Sequence, residues 1–303
     1  MRNELYKVVA GWVLGIGVVH AGVLLAPSGF YAPHLALTAR GHAANCPPIE
    51  VYQGDLSFPS KYEGNGPAKD TINPEANAEF ESLTKPTTKL QQLSASWSDK
   101  VFKGKGSAAD LACVVGHWRA WADARALETP TKDVGGRSVR KWTLGAVAAN
   151  YLKLSLNLGD QLAPADRQAI ERWLGALAEQ VRSDYDHRRP DQINNHDYWA
   201  EWSVMTTAVI LQRQDLFDWA WRGYQVAMGQ VTDQGYLPNE LKRKSRALGY
   251  HSFALMPLTS MAAFAETNHF PALAEQHQAL GRLVQQMLDS LQNPQRMVQA
   301  AGS

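Results

Sequence analysis

Apolar residues recur at helical spacing along most of the chain. In "ADLACVVGHWRAWADARAL", Leu111, Val114, Val115, Trp118, Trp121 and Ala122 fall at intervals of three and four, the stripe of a helix that buries one face. Ser107, with Asp110 three residues on, supplies the start, because a hydroxyl and a carboxylate at this spacing satisfy the free N–H groups of a first turn. Helical signals set in at Glu75, and further segments are predicted at about 137–156, 165–186, 195–212, 215–229, 239–266 and 270–291. The breaks between them are short, as in "NLGDQLAP" and "VTDQGYLP", so consecutive helices double back on one another. Strand-like alternation is nearly absent. The pattern predicts an all-α fold of stacked antiparallel helical hairpins, as a bundle, a solenoid or an α/α toroid. No internal repeat is readable, which argues against TPR or ankyrin arrays.

Two stretches depart from this period. Arg2 and Lys7 precede an apolar run from Val8 to Ala26, followed by Pro27 and Ser28, which reads as a secretory signal peptide over residues 1–26. Val19 and Ala21 offer an earlier cut, and an uncleaved membrane anchor is the competing reading. Residues 27–74 are read as an extended arm and lid. From 47 onward they are rich in Pro, Gly, Ser and Asn, without a lasting period. The helical domain follows over 75–303. Composition narrows the class: 303 residues with 45% hydrophobic content bury a full core, and a net charge of +1 from 30 basic and 29 acidic residues excludes a general nucleic-acid binder. Any polyanion is then held by a local basic patch. Cys46 and Cys113 are the only cysteines; in an exported chain such a pair predicts one disulfide, with two free thiols as the alternative.

Two segments carry candidate chemistry. "QINNHDYWAEW" at 192–202 sets polar residues ahead of an apolar helix. Asn194 or Asn195 is suited to cap that helix, which places His196 in its first turn. The positive end of the helix dipole attracts a carboxylate and opposes protonation of the imidazole. The plainer reading is a cap and a packing histidine. "LPNELKRKSRALGYHSFAL" at 237–255 carries Lys242, Arg243, Lys244 and Arg246 ahead of Tyr250 and His251. If it is helical throughout, Arg243 and Tyr250 lie on one face two turns apart, where one acidic substrate touches both. The plainer reading is a solvated charge run, as for "GGRSVRKW" at 135–142. The histidines show no clustered ligand spacing, so no metal is expected.

Four motifs, "FPSKYEG" at 58–64, "VRKWTLG" at 139–145, "INNHDYWAEWSVMTTAV" at 193–209 and "GYLPNELKRKSRALGYH" at 235–251, resemble the alginate lyases of polysaccharide lyase family 5, the periplasmic poly-mannuronate lyases. "CPP" at 46–48 and the cysteine of "DLACVV" follow the same family's pattern. The resemblance implies an incomplete α/α toroid with a deep cleft, acting in the periplasm on mannuronate-rich alginate by β-elimination, without a cofactor. It carries the catalytic set onto Asn195, His196, Arg243 and Tyr250. Asn195 and Arg243 would neutralise the substrate carboxylate, Tyr250 would give a proton to the leaving oxygen, and His196 would be the base or a carboxylate partner. Basic neighbours such as Arg243 are expected to lower the Tyr250 phenol pKa. Substrate contacts are expected from Ser60 and Lys61 in the arm, from Trp199 lining the cleft, and at Val134 and Gly135, which stand where the family places a His-Thr pair. Family members commonly continue with further helices beyond the position of Leu291, so the toroid is expected to be shorter at its C-terminal end. Alginate is the partner implied, with membrane contact only through the leader and a further contact with alginate export machinery. A non-catalytic alginate-binding protein of that machinery is the alternative function.

Overall fold

The structure, a computed structural model, describes residues 22–302 apart from 33, 39–45, 65, 67 and 70. Most of the expected leader therefore lies outside the described residues. Ten α-helices are seen among them: α1 (Pro74–Phe102), α2 (Ala108–Asp123), α3 (Val134–Leu158), α4 (Pro164–Tyr185), α5 (Asn195–Leu211), α6 (Gln214–Gln230), α7 (Pro238–Leu241), α8 (Ala247–Thr267), α9 (Glu275–Gln292) and α10 (Gln295–Ala300). Helices α1, α3, α5 and α8 pack side by side as an inner row, while α2, α4, α6 and α9 lie outside, α2 against α1, α4 against α3 and α5, α6 against α5 and α8, and α9 against α8. This is the incomplete α/α toroid expected from the sequence. No helix among the described residues is long and apolar enough to cross a membrane.

Helix α5 is the centre of the core. It contacts α3, α4, α6 and α8, and Tyr198, Ala200, Val204, Met205 and Ala208 are all buried. A helix surrounded on all sides has no polar face to keep, which is why this segment is apolar nearly all round. Burial of Val204 and Met205 contributes about 1.5–3 kcal/mol each. Trp118, Trp121, Trp173 and Tyr151 fill the space between the layers on the α2–α4 side. Ser107 and Asp110 make the reciprocal cap of α2 that their spacing predicts.

The arm wraps this body. Asn157, near the end of α3, holds the arm backbone at Phe30 and Ala32. Cys46 is joined to Cys113 of α2 by the expected disulfide, across a sequence separation of 67 residues; closing a loop of that length contributes about 4 kcal/mol on the chain-entropy account. Ile49, Tyr52, Leu56 and Phe58 are buried. At Gly136 the arm comes so close that a Cβ would collide with the Leu56 carbonyl oxygen, so only glycine fits at that position of α3.

Two expectations need correction, and residues 22–26, read as the end of the leader, pack against the folded body, with Leu24 and Ala26 buried. The side chain of Gln212 accepts from Leu24 N at 2.9 Å and donates to Leu24 O at 3.0 Å, and Asn268 does the same for Leu25, at 2.8 Å in each direction. The predicted helix over 239–266 is broken between α7 and α8 by a turn and a short 3-10 segment, Lys244–Arg246, in which Lys244 takes φ 50°. His251 holds the break: its Nε2 accepts from Leu237 N at 2.9 Å and its Nδ1 lies 2.8 Å from Ala247 O, with the ring fully buried. Burial pushes this imidazole down to about 4, so it stays neutral and can accept at one nitrogen and donate at the other. Finally, Gln276, His277 and Gln278 are left-handed in φ, so the regular part of α9 begins later than the predicted 270.

Candidate active site

The first turn of α5 is built as its sequence predicts. Asn194 is the cap: its side-chain oxygen accepts from His196 N at 3.0 Å, and the Asp197 carboxylate accepts from Asn194 N at 2.9 Å. The anion at this helix end belongs to the protein itself. Glu240 of α7, fully buried, accepts from Asn195 N at 2.6 Å and from Asn195 Nδ2 at 3.1 and 3.0 Å. Asn195 is buried in turn, with Oδ1 lacking a hydrogen-bond partner. The carry-over gave Asn195 the task of donating to a substrate carboxylate; here its donors serve Glu240, and it fixes α7 to α5.

That link matters because Arg243 follows Glu240 by three residues. The chain break brings Arg243 back onto Tyr250, with the guanidinium 4.6 Å from the ring centroid, a stacking contact in place of the shared helix face expected from the sequence. Arg246 covers the same ring at 5.1 Å. Tyr62, in the arm, is hydrogen-bonded to Tyr250. Arg246 also lies 5.4 Å from the Tyr62 ring and bonds to Lys69 O. The arm, read from the sequence as a lid, thus reaches the Tyr250 ring. It doubles back between Lys61 and Asn73, with Glu63 N donating to Thr71 O and Asn73 N to Lys61 O, both at 3.0 Å, and it sets Tyr62 over Tyr250.

The electrostatics of the two phenols are opposite. Burial, then the hydrogen bond and charge of Tyr62, push Tyr250 up to about 12, against a smaller downward pull from Arg246 and Arg243. The expectation that basic neighbours would lower this phenol fails because desolvation outweighs them. Burial also acts to raise Tyr62, but its hydrogen bonds from Tyr250 and Arg246 and the positive charge of Lys61 and Arg246 outweigh it, and its pKa falls. His196 is held well below the ordinary imidazole range, first by burial and then by the positive charge of Lys141, Arg243 and Arg188. It is neutral, as the helix end predicts.

Behind His196 lies a group that sequence reasoning passed over as a solvated charge. Lys141 of α3 is fully buried, with Nζ 2.7 Å from His196 Nδ1 and 2.7 Å from Tyr185 Oη. Trp142 sits 5.9 Å from the His196 ring and 6.5 Å from Phe253, and Phe253 is 5.0 Å from Trp199. These rings join the α3, α5 and α8 sides of the site. Trp199, the residue expected to line the cleft, donates to Phe253 O at 3.1 Å, which fixes its indole. Ser60 turns the base of the lid through its contacts with the Tyr62 backbone, and Lys61 lies 5.3 Å from the Phe80 ring. Val134 is 68% exposed at the start of α3, and Gly135 packs under Phe58. Neither offers a polar side chain to a ligand.

A neutral imidazole, and a phenol under two guanidinium groups, suit proton transfer beside an anionic ligand. The sequence pattern of the alginate lyases matches residues 57–297. The chain is 40% identical over 296 residues to the alginate lyase of Azotobacter vinelandii, covering 96% of this chain and 78% of that one. It is 38% identical over 305 residues to the alginate lyase of Pseudomonas aeruginosa, covering 100% and 82%. Its fold matches the crystal structure of alginate lyase A1-III from Sphingomonas species A1 with a TM-score of 0.73 at 21% identity, over 88% of this chain and 74% of that one. A tyrosine-to-phenylalanine variant of that enzyme, complexed with a tetrasaccharide, matches with a TM-score of 0.76 at 20% identity, over 90% and 76%. The helical architecture, the ordered motifs and these likenesses together establish that the chain belongs to the alginate lyase family.

Proposed function

We propose that this alginate lyase cleaves mannuronate-rich chains by β-elimination, leaving a 4,5-unsaturated uronate at the new non-reducing end. The observation that carries the reading is Tyr250, a phenol stacked under Arg243 and Arg246 and hydrogen-bonded to the lid through Tyr62. In mannuronate the C5 proton and the leaving 4-oxygen lie on the same side of the ring, so one residue can serve both. As the phenolate, Tyr250 takes the C5 proton. The electron pair forms the C4–C5 double bond, the C4–O4 bond breaks, and the phenol returns the proton to O4. The positive charge of Arg246 and Arg243 on Tyr250 favours the phenolate that this step requires. Arg243 and neutral His196 meet the uronate carboxylate, whose charge must be offset before C5 becomes acidic enough to ionise. With Asn195 engaged by Glu240, this task falls to those two. The lid excludes water and brings Lys61 and Lys69 to a polyanionic chain.

The reading includes export to the periplasm, supported by the leader-like N-terminus and by the disulfide. The clasps on Leu24 and Leu25 favour the earlier cut, after Ala21, because removal through Ala26 would take away both clasped residues.

Separated poly-mannuronate and poly-guluronate blocks test the substrate: faster release of unsaturated product from mannuronate blocks is expected, and the reverse order refutes the assignment. For Tyr62→Phe, the hydrogen bond and charge that add to burial in raising Tyr250 are gone. With tyrosine ring carbons labelled for NMR titration, Tyr250 is expected to ionise below its parent value of about 12; an unmoved titration contradicts the lid contact. The protein recovered from the periplasm is expected to begin at Gly22 by mass spectrometry. A mature chain beginning at Pro27 or Ser28 overturns the processing site.

A further inference from the structure

A fully buried lysine is an expensive feature. Lys141 has no carboxylate partner among the described residues: its Nζ meets Tyr185 Oη and His196 Nδ1, each at 2.7 Å, and lies 4.6 Å from the Tyr185 ring centroid and 5.2 Å from that of Trp142. A methionine would fill the same slot at lower cost. Core packing therefore does not explain the amine, and its contact with His196 does.

We propose that Lys141 is a positioning residue that holds His196 as the Nε2–H tautomer, making the imidazole a hydrogen-bond donor to the substrate and leaving the C5 proton to Tyr250. Two nitrogens 2.7 Å apart share one proton between them. The amine is intrinsically the stronger base by about four pKa units, so the proton stays on Lys141 and points at Nδ1. Ser138 Oγ is also 3.1 Å from Nδ1, but its own proton goes to Val134 O at 2.8 Å. With Nδ1 accepting, a neutral imidazole carries its only proton on Nε2. Nε2–H then donates, and a nitrogen that already bears a proton takes none from C5.

The surrounding charges keep the pair in place without supplying another proton. Asp184 and Tyr185 face Lys141 from α4, and Asp184 is paired with Arg140 of α3 at 2.5 Å and with Arg137 at 3.5 Å. Asp197 faces it from α5, paired at 3.2 Å with Arg188 of the α4–α5 loop. Arg243 acts on His196 from beyond α7. Each acid near the lysine is thus already engaged by an arginine, so the lysine is left to the imidazole.

The proposal rests on the lyase reading for its consequence, but its test does not. Nitrogen-15 NMR of histidine-labelled, unliganded protein distinguishes the two tautomers directly, without turnover. The expected result is Nε2–H at His196 in the parent; Nδ1–H there overturns the proposal even if the protein cleaves alginate. The second arm is Lys141→Met. A wrong imidazole tautomer lowers kcat of a serine protease triad by about 10⁴, so kcat is expected to fall at least about tenfold. KM should stay within about twofold, and the His196 signal should show a mixture of tautomers. A folded variant that keeps both the Nε2–H signal and the parent kcat overturns the assignment. If the variant does not fold, the parent spectrum decides.

Discussion

The carboxylate of Glu240, held against the first turn of α5, is the contact on which the site depends. It accepts three hydrogen bonds from Asn195 while fully buried. Loss of one partner of a buried polar pair costs about 1–3 kcal/mol, more for a charge, so the pair behaves as a pin. On one side it fixes His196, the next residue of α5. On the other it fixes α7, and with it the turn that lays Arg243 on Tyr250. The helix dipole favours an anion at that end, and the protein fills the position with its own acid.

Desolvation does the rest of the electrostatic work. The same burial that keeps His196 and His251 neutral pushes Tyr250 upward against two adjacent guanidinium groups. A neutral imidazole and a protonated phenol are therefore the resting forms, beside arginines that remain charged. The lid adds a second phenol with the opposite tendency. An acid-base pair is thus assembled only when arm and body are together. The disulfide and the Asn157 contacts hold the rest of the arm against the helices.

Much of this was legible in the sequence. The Ser107 and Asn194 caps, the hairpin arrangement and the juxtaposition of Arg243 with Tyr250 follow from local spacing and from the family resemblance. What was missed lies in contacts between distant segments. The run "LKRKSR" has good helix formers, and no local signal marks the break; it is imposed by His251 bonding back to Leu237 and by Glu240 bonding across to Asn195. Lys141 sits in a basic stretch that reads as solvated, and only tertiary packing shows that it is buried. Tyr62 stood inside a quoted motif, yet its partner is 188 positions away. Hydropathy likewise does not distinguish Leu24 and Ala26, which enter the core, from the apolar run before them.

The central claim is that one phenol moves the proton. Replacing it as Tyr250→Phe keeps the ring that Arg243 and Arg246 cover and removes only the hydroxyl, so unfolding free energy should change by no more than about 1 kcal/mol. The rate of unsaturated uronate formation from poly-mannuronate, followed by ultraviolet absorbance, should fall by about 10² or more, the range typical of a lost general acid. A variant with the parent's melting temperature that still forms product at more than about a tenth of the parent rate would contradict the account.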